Sequence, residues 1–117
     1  MGLLSLLVGN QVATLSAHEL RDQFEAGDRP FLLDVRQPAE YRLGHIHGAK
    51  LIPLGSLGAR MNEIPPDCAI VCICATGHRS IPAARMLASS GHVASSLKDG
   101  MIAWKLAGLP VEKGLPE

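Results

Sequence analysis

The chain has 117 residues with 11 basic and 11 acidic side chains, so it carries no net charge and neither a nucleic-acid-binding stripe nor a polybasic membrane face. Apolar residues make up 47% and charged residues 19%, which excludes disorder and, at this length, points to one folded domain. Aromatic residues are only 3%, so the core must be built from Leu, Val, Ile, Ala and Met.

The N-terminal run Gly2-Leu3-Leu4-Ser5-Leu6-Leu7-Val8 has the apolar look of a secretory signal. It lacks a basic leader and a clean small-residue cleavage site, and no stretch reaches the roughly 18 apolar residues of a membrane span. Residues 1–10 are therefore expected to form an arm or short helix packed on the domain or on a second subunit, with residues 11–117 as the domain itself. Ser16-Ala17-His18-Glu19 is a capping-box pattern that opens a helix to about Ala26, stopped by Gly27-Asp28. Phe31 to Val35 is an apolar run between Pro30 and Pro38 and reads as a buried strand. Pro38-Ala39-Glu40-Tyr41 starts a short helical turn. Ala49 to Ile52 predicts a strand, and Ser56 to about Asn62 a helix stopped by Pro65-Pro66.

Ala69 to Ile73 is the most strand-like run of the chain, and Ile81 to Ser90 a helix with Met86 and Leu87 inward and Gly91 at its end. His92 to Leu97 completes the strands, and Met101 to Ala107 forms the last helix, anchored to the core by Trp104. Alternating strands and helices predict an α/β fold with a mostly parallel central sheet flanked by helices on both faces. Ligands in such sheets sit at the carboxyl ends of the strands, and Cys74 falls at one.

The segment Cys74-Ala75-Thr76-Gly77-His78-Arg79 carries the chemistry. A cysteine leaving a β-branched run enters a short loop whose glycine lets backbone N–H groups turn inward. A helix follows, with Ser80 as a candidate cap. Inward N–H groups, a helix N-terminus and the Arg79 cation all favour thiolate over thiol. The three cysteines Cys68, Cys72 and Cys74 are too tightly spaced for a disulfide framework and lack a second pair for zinc. Free thiols fit a reducing, cytoplasmic setting. His45 and His47 sit two apart without a third ligand, so no metal is expected; His45 reads as a turn residue with its ring on backbone. Cys72 should face the same side as Cys74, as a buried core thiol or, alternatively, a resolving thiol.

Three blocks in order give a resemblance from about Leu15 to Val111. They are Leu32-Leu33-Asp34-Val35-Arg36 with Glu40-Tyr41 and Gly44-His45-Ile46-His47-Gly48-Ala49; the loop Cys74 to Ser80; and Leu97-Lys98-Asp99-Gly100-Met101 with Trp104 and Gly108-Leu109-Pro110. The chain resembles the rhodanese-like sulfurtransferase domain. The resemblance implies that Cys74 takes sulfur from a donor such as thiosulfate as a persulfide and passes it to cyanide, a thiol or a sulfur-accepting protein. It also implies a loop of Ala75, Thr76, Gly77, His78 and Arg79 that stabilises anionic sulfur, without metal or organic cofactor, in a monomer or weak homodimer.

Phosphatases of the same fold have one more residue between Cys and Arg, and no acid stands beside this loop to protonate an alkoxide. Non-catalytic interaction modules of the family usually lack the loop cysteine. Ala75 and Thr76 stand where Arg and Ser are common, which weakens the case for a dianionic donor; protonated His78 would compensate in part. Asp34 and Arg36, in a supporting role, read as a structural ion pair or loop brace, with a pairing of Asp34 to Arg79 as one way to orient the loop. Asp99 replaces a common glycine, either to take φ > 0 or to place a carboxylate near the site.

Overall fold

The computed structural model of the protein describes residues 11–116; the expected arm over residues 1–10 lies outside them. The elements are β1 Ala13–Leu15, α1 Ala17–Glu25, β2 Phe31–Asp34, α2 Pro38–Leu43, β3 Lys50–Leu51, α3 Leu54–Leu57 continuing into a 3-10 segment Gly58–Glu63, β4 Ile70–Ile73, α4 Ser80–Ser89, β5 Ala94–Leu97 and α5 Gly100–Leu106. The strands form one sheet in the order β1-β5-β4-β2-β3 with every pairing parallel.

β4, and β2 up to its last residue Asp34, are short continuous apolar runs because both of their faces are covered. Side chains alternate across the sheet. Leu32, Val71, Ile73 and Leu97 face a core shared with Leu20 of α1, Tyr41 of α2, and Met101 and Trp104 of α5. Leu33, Ile70, Cys72 and Cys74 face the opposite core with Leu57 of α3 and Ala83, Ala84 and Leu87 of α4.

The Ser16 capping box forms as its sequence predicts: the Ser16 hydroxyl accepts from the Glu19 N–H, and the Glu19 carboxylate accepts from the Ser16 N–H. Trp104 is buried, donates from Nε1 to the Pro110 carbonyl and meets Phe24 edge-on, so it anchors α5 as expected. Leu87 is buried and Met86 only half-buried. The segment predicted as a helix from Ser56 starts earlier, at Leu54 after Pro53, and tightens to 3-10 geometry from Gly58.

Topology places the site. β2 leads to β3 on one side of the sheet, while β4 leads to β5 on the other. The carboxyl ends of β2 and β4 therefore flank a switch point, where open parallel sheets leave a crevice for a ligand. Cys74 follows β4, and Val35 and Arg36 follow β2.

Candidate active site: a cysteine loop at the sheet switch point

Cys74 is the first residue past β4, and the chain then curls back over its sulfur. Gly77 takes φ +94 and sends its N–H to Cys74 Sγ at 3.0 Å. An L side chain rarely adopts that conformation, and a Cβ at this position would stand 3.1 Å from the Asp99 nitrogen. From beneath, α5 braces the loop: the Met101 N–H donates to the Cys74 carbonyl at 2.8 Å and the Ile102 N–H to the Ala75 carbonyl at 3.0 Å.

Ser80 is the first residue of α4, not its cap; Arg79 holds the cap position. The Ser80 hydroxyl instead points back at Cys74 Sγ, 3.4 Å away, and a second buried hydroxyl, Ser96 on β5, lies 2.6 Å behind it. Burial alone would raise the Cys74 pKa. The Ser80 hydroxyl and the backbone N–H groups of Ser80, Thr76 and Gly77 outweigh burial and draw it below the ordinary thiol value. Cys72 faces the same core without such donors, and burial followed by the charge of Cys74 pushes its pKa up to about 12. Donors around one sulfur and burial of the other thus move the two thiols, two residues apart, in opposite directions.

Arg79 does not pair with Asp34. Its guanidinium forks onto Glu40 of α2 with two bonds of 2.7 Å, and this fork holds the Glu40 carboxyl down at about 2. The reach is the reason: Glu40 sits in the first turn of α2 facing the loop, while Asp34 is already taken. Arg36 Nε meets Asp34 Oδ1 at 2.9 Å and its terminal nitrogen meets Oδ2 at 2.8 Å, with exposures of 3% and 0%. Arg36 also donates to the carbonyls of Gly44 and Glu40. Asp34 and Arg36 are thus an internal brace between β2 and α2, and they reach the loop only through Glu40 and Arg79.

The remaining sequence candidates fall at the rim. Thr76 and His78 are exposed and bonded to each other, Oγ1 to Nδ1 at 2.9 Å, and Ala75 is half-buried. Asp99 takes φ 57, the left-handed conformation that lets α5 start directly under the loop, with its side chain exposed. His45 has Nδ1 on the Tyr41 carbonyl at 2.9 Å, as expected of a turn residue, and stacks on the Tyr41 ring. His47 pairs with Glu112.

Sequence reasoning missed the roles of Ser80, Ser96, Glu40 and Gly100. A serine six residues after Cys74, opening a helix, was a readable signal for Ser80. Ser96 is brought in only by the β4–β5 pairing.

A buried cysteine whose sulfur accepts from a loop N–H, at the carboxyl end of the middle strand of a parallel sheet, defines an α/β protein with a cysteine loop at its switch point. The chain belongs to the family of the rhodanese-like domain, whose model matches residues 16–107. It is 34% identical over 101 residues to a sulfurtransferase of Allochromatium vinosum, covering 86% of this chain and 94% of that protein. It is 38% identical over 112 residues to an HTH-type transcriptional regulator of Mycobacterium tuberculosis, covering 94% of this chain but only 49% of the regulator, so the chain spans about half of that relative. The crystal structure of a rhodanese-related protein from Thermoplasma volcanium superposes with a TM-score of 0.81 at 28% identity, covering 87% and 99% of the two chains.

The contrast between the two thiols sets a first test. Labelling with a small alkylating reagent at pH 7, followed by peptide mass mapping, should modify Cys74 and spare Cys72 until the protein is unfolded. The Cys74 rate should climb with pH through a midpoint below that of an ordinary thiol. Equal labelling of the two would remove the case for a selectively activated sulfur.

Proposed function

We propose that this chain is a sulfurtransferase that moves sulfane sulfur through a persulfide on Cys74. The observation that supports it is the sulfur held between the Gly77 N–H and the Ser80 hydroxyl at the switch point. In the first half-reaction the Cys74 thiolate attacks the outer sulfur of the donor. With thiosulfate, the donor S–S bond breaks and sulfite leaves with the electron pair, leaving Cys74 Sγ–S⁻. In the second, a thiophile such as cyanide attacks that outer sulfur, thiocyanate departs and the Cys74 thiolate returns. Both half-reactions place negative charge on sulfur, where the loop N–H groups stabilise it.

The site also bears on the donor. Arg79 is committed to Glu40, Ala75 and Thr76 bring no charge, and Cys74 is 0% exposed. A compact donor of low charge, such as the persulfide of a small thiol, meets these constraints better than a dianion does. Four residues between Cys74 and Arg79 give a tight loop suited to a sulfur atom. The acceptor would be a small thiol or a sulfur-accepting protein.

A second reading, a regulatory rhodanese-like module, is favoured by the similarity to the transcriptional regulator across 94% of this chain. Intact mass separates the two. Incubation with thiosulfate or the persulfide of 2-mercaptoethanol should add one sulfur atom, mapped to the Cys74 peptide and removed by cyanide. Faster loading from the persulfide is expected. If neither donor adds mass while Cys74 remains reactive to alkylation, the transfer reading is lost and the regulatory one gains.

A further inference from the structure

We propose that Ser96 on β5 is a positioning residue that acts through Ser80 to aim a hydroxyl proton at the Cys74 sulfur. The proposal rests on Cys74 being a working thiolate but not on which sulfur donor it uses.

The three groups form a line: Cys74 Sγ to Ser80 Oγ at 3.4 Å, and Ser80 Oγ to Ser96 Oγ at 2.6 Å. Ser80 is 0% and Ser96 1% exposed, so water does not compete at either hydroxyl. Each hydroxyl has one proton to give. Among the described residues Ser96 Oγ has Ser80 as its hydrogen-bond partner and no other. The line therefore ends at Ser96, and that end biases it.

When the sulfur is a thiolate, Ser96 donates to Ser80 and Ser80 donates to the sulfur, so every proton is paired. The Ser96 bond fills an acceptor site of Ser80 Oγ, so the Ser80 proton cannot turn to Ser96 and is held toward the sulfur. It also polarises the Ser80 hydroxyl, which strengthens that bond to an anion more than to a neutral thiol and so favours the thiolate. Without the Ser96 hydroxyl both effects are lost.

The charged and titratable surroundings are separate from this line. Cys72 lies on β4 beside Cys74, and Arg79 stands ahead of α4, where Glu40 of α2 holds it and Asp34 at the end of β2 acts on it. The braces from α5 are backbone N–H groups, and the His78 ring is turned to Thr76. No substitution at Ser96 removes any of these groups.

The test is the pH titration of the Cys74 thiolate by ultraviolet absorbance in the full chain, taken as the difference from Cys74→Ser. Ser96→Ala should raise the midpoint by about one unit, a tenfold smaller thiolate fraction below both midpoints. Ser96→Val should do the same, whereas Ser96→Thr, of equal size but with a hydroxyl, should restore the wild-type midpoint. This matched pair keeps the test valid if the alanine variant folds poorly. Ser80→Ala should raise the midpoint further, and adding Ser96→Ala to it should change nothing, because Ser96 acts only through Ser80. A midpoint unmoved by Ser96→Val, or equal shifts with Thr and Val, or additive effects of Ser80→Ala and Ser96→Ala, would overturn the proposal. Because no donor is used, failure of sulfur loading leaves this outcome readable.

Discussion

Gly100→Ala should destabilise the protein by about 4 kcal/mol, several times the usual cost of a point substitution. A Cβ there would stand 2.2 Å from the Cys74 carbonyl oxygen and 2.7 Å from the Ala75 carbonyl carbon, and φ is +55. The left-handed conformation alone costs an L residue ~1–2 kcal/mol. The overlap is with backbone on both sides, so no side chain can swing away; α5 has to lift off the loop. Lifting it breaks the bonds from Met101 and Ile102 to the two loop carbonyls, at about 1 kcal/mol each.

Gly91→Ala is the internal control. Gly91 also has a positive φ, +90, but a Cβ there meets nothing within 4 Å. It should lose only the conformational ~1–2 kcal/mol. Urea unfolding of the two variants measures the difference. The site should report it as well: with α5 displaced, the loop N–H groups lose their aim and the Cys74 titration moves back toward an ordinary thiol. Equal losses for the two glycines would mean that the close approach of α5 to the loop is not what demands Gly100.

The features legible in the sequence are those settled within a few neighbouring residues. Ser16 and Glu19 make a capping box because three residues separate them, whatever lies beyond. Phe31 to Leu33 and Ile70 to Ile73 are readable as strand because both faces are covered and these runs are wholly apolar. Cys74 and Gly77 define the loop by spacing alone. β1 was not legible: Ala13 and Thr14 are exposed and the strand is three residues long, so it exists by pairing with β5 some 80 residues away.

The same limit explains the misplaced polar partners. Nothing near Arg79 in the chain distinguishes Glu40 from Asp34 as its acceptor. The choice is made by α2 docking with Glu40 in its first turn, and by Arg36 occupying both Asp34 oxygens first. Ser80 reads as a cap because serine favours helix starts. Only the packing of α4 under β4 and β5 turns its hydroxyl to the sulfur, and only then does a serine on β5 acquire a chemical role.

Arg36→Met should cost ~3–5 kcal/mol, the loss typical when one partner of a buried ion pair is removed. Asp34 is left as an uncompensated carboxylate at 0% exposure, with the Arg36 backbone N–H, 3.1 Å away, as its remaining donor. The Gly44 carbonyl loses its 2.8 Å donor as well, so the end of α2 is released from β2. Because Glu40 stands on α2 and holds Arg79, the disturbance should reach the loop and slow reactions at Cys74. The double replacement Asp34→Leu with Arg36→Met should regain most of the stability, since a buried pair exchanged for apolar groups is often close to neutral. It should not regain all of it, because the Gly44 carbonyl and the Arg36 N–H still lack their partners. Urea midpoints for the single and double variants decide the matter. A double variant no more stable than Arg36→Met would show that the carbonyl contacts to α2, rather than the stranded charge, account for the loss.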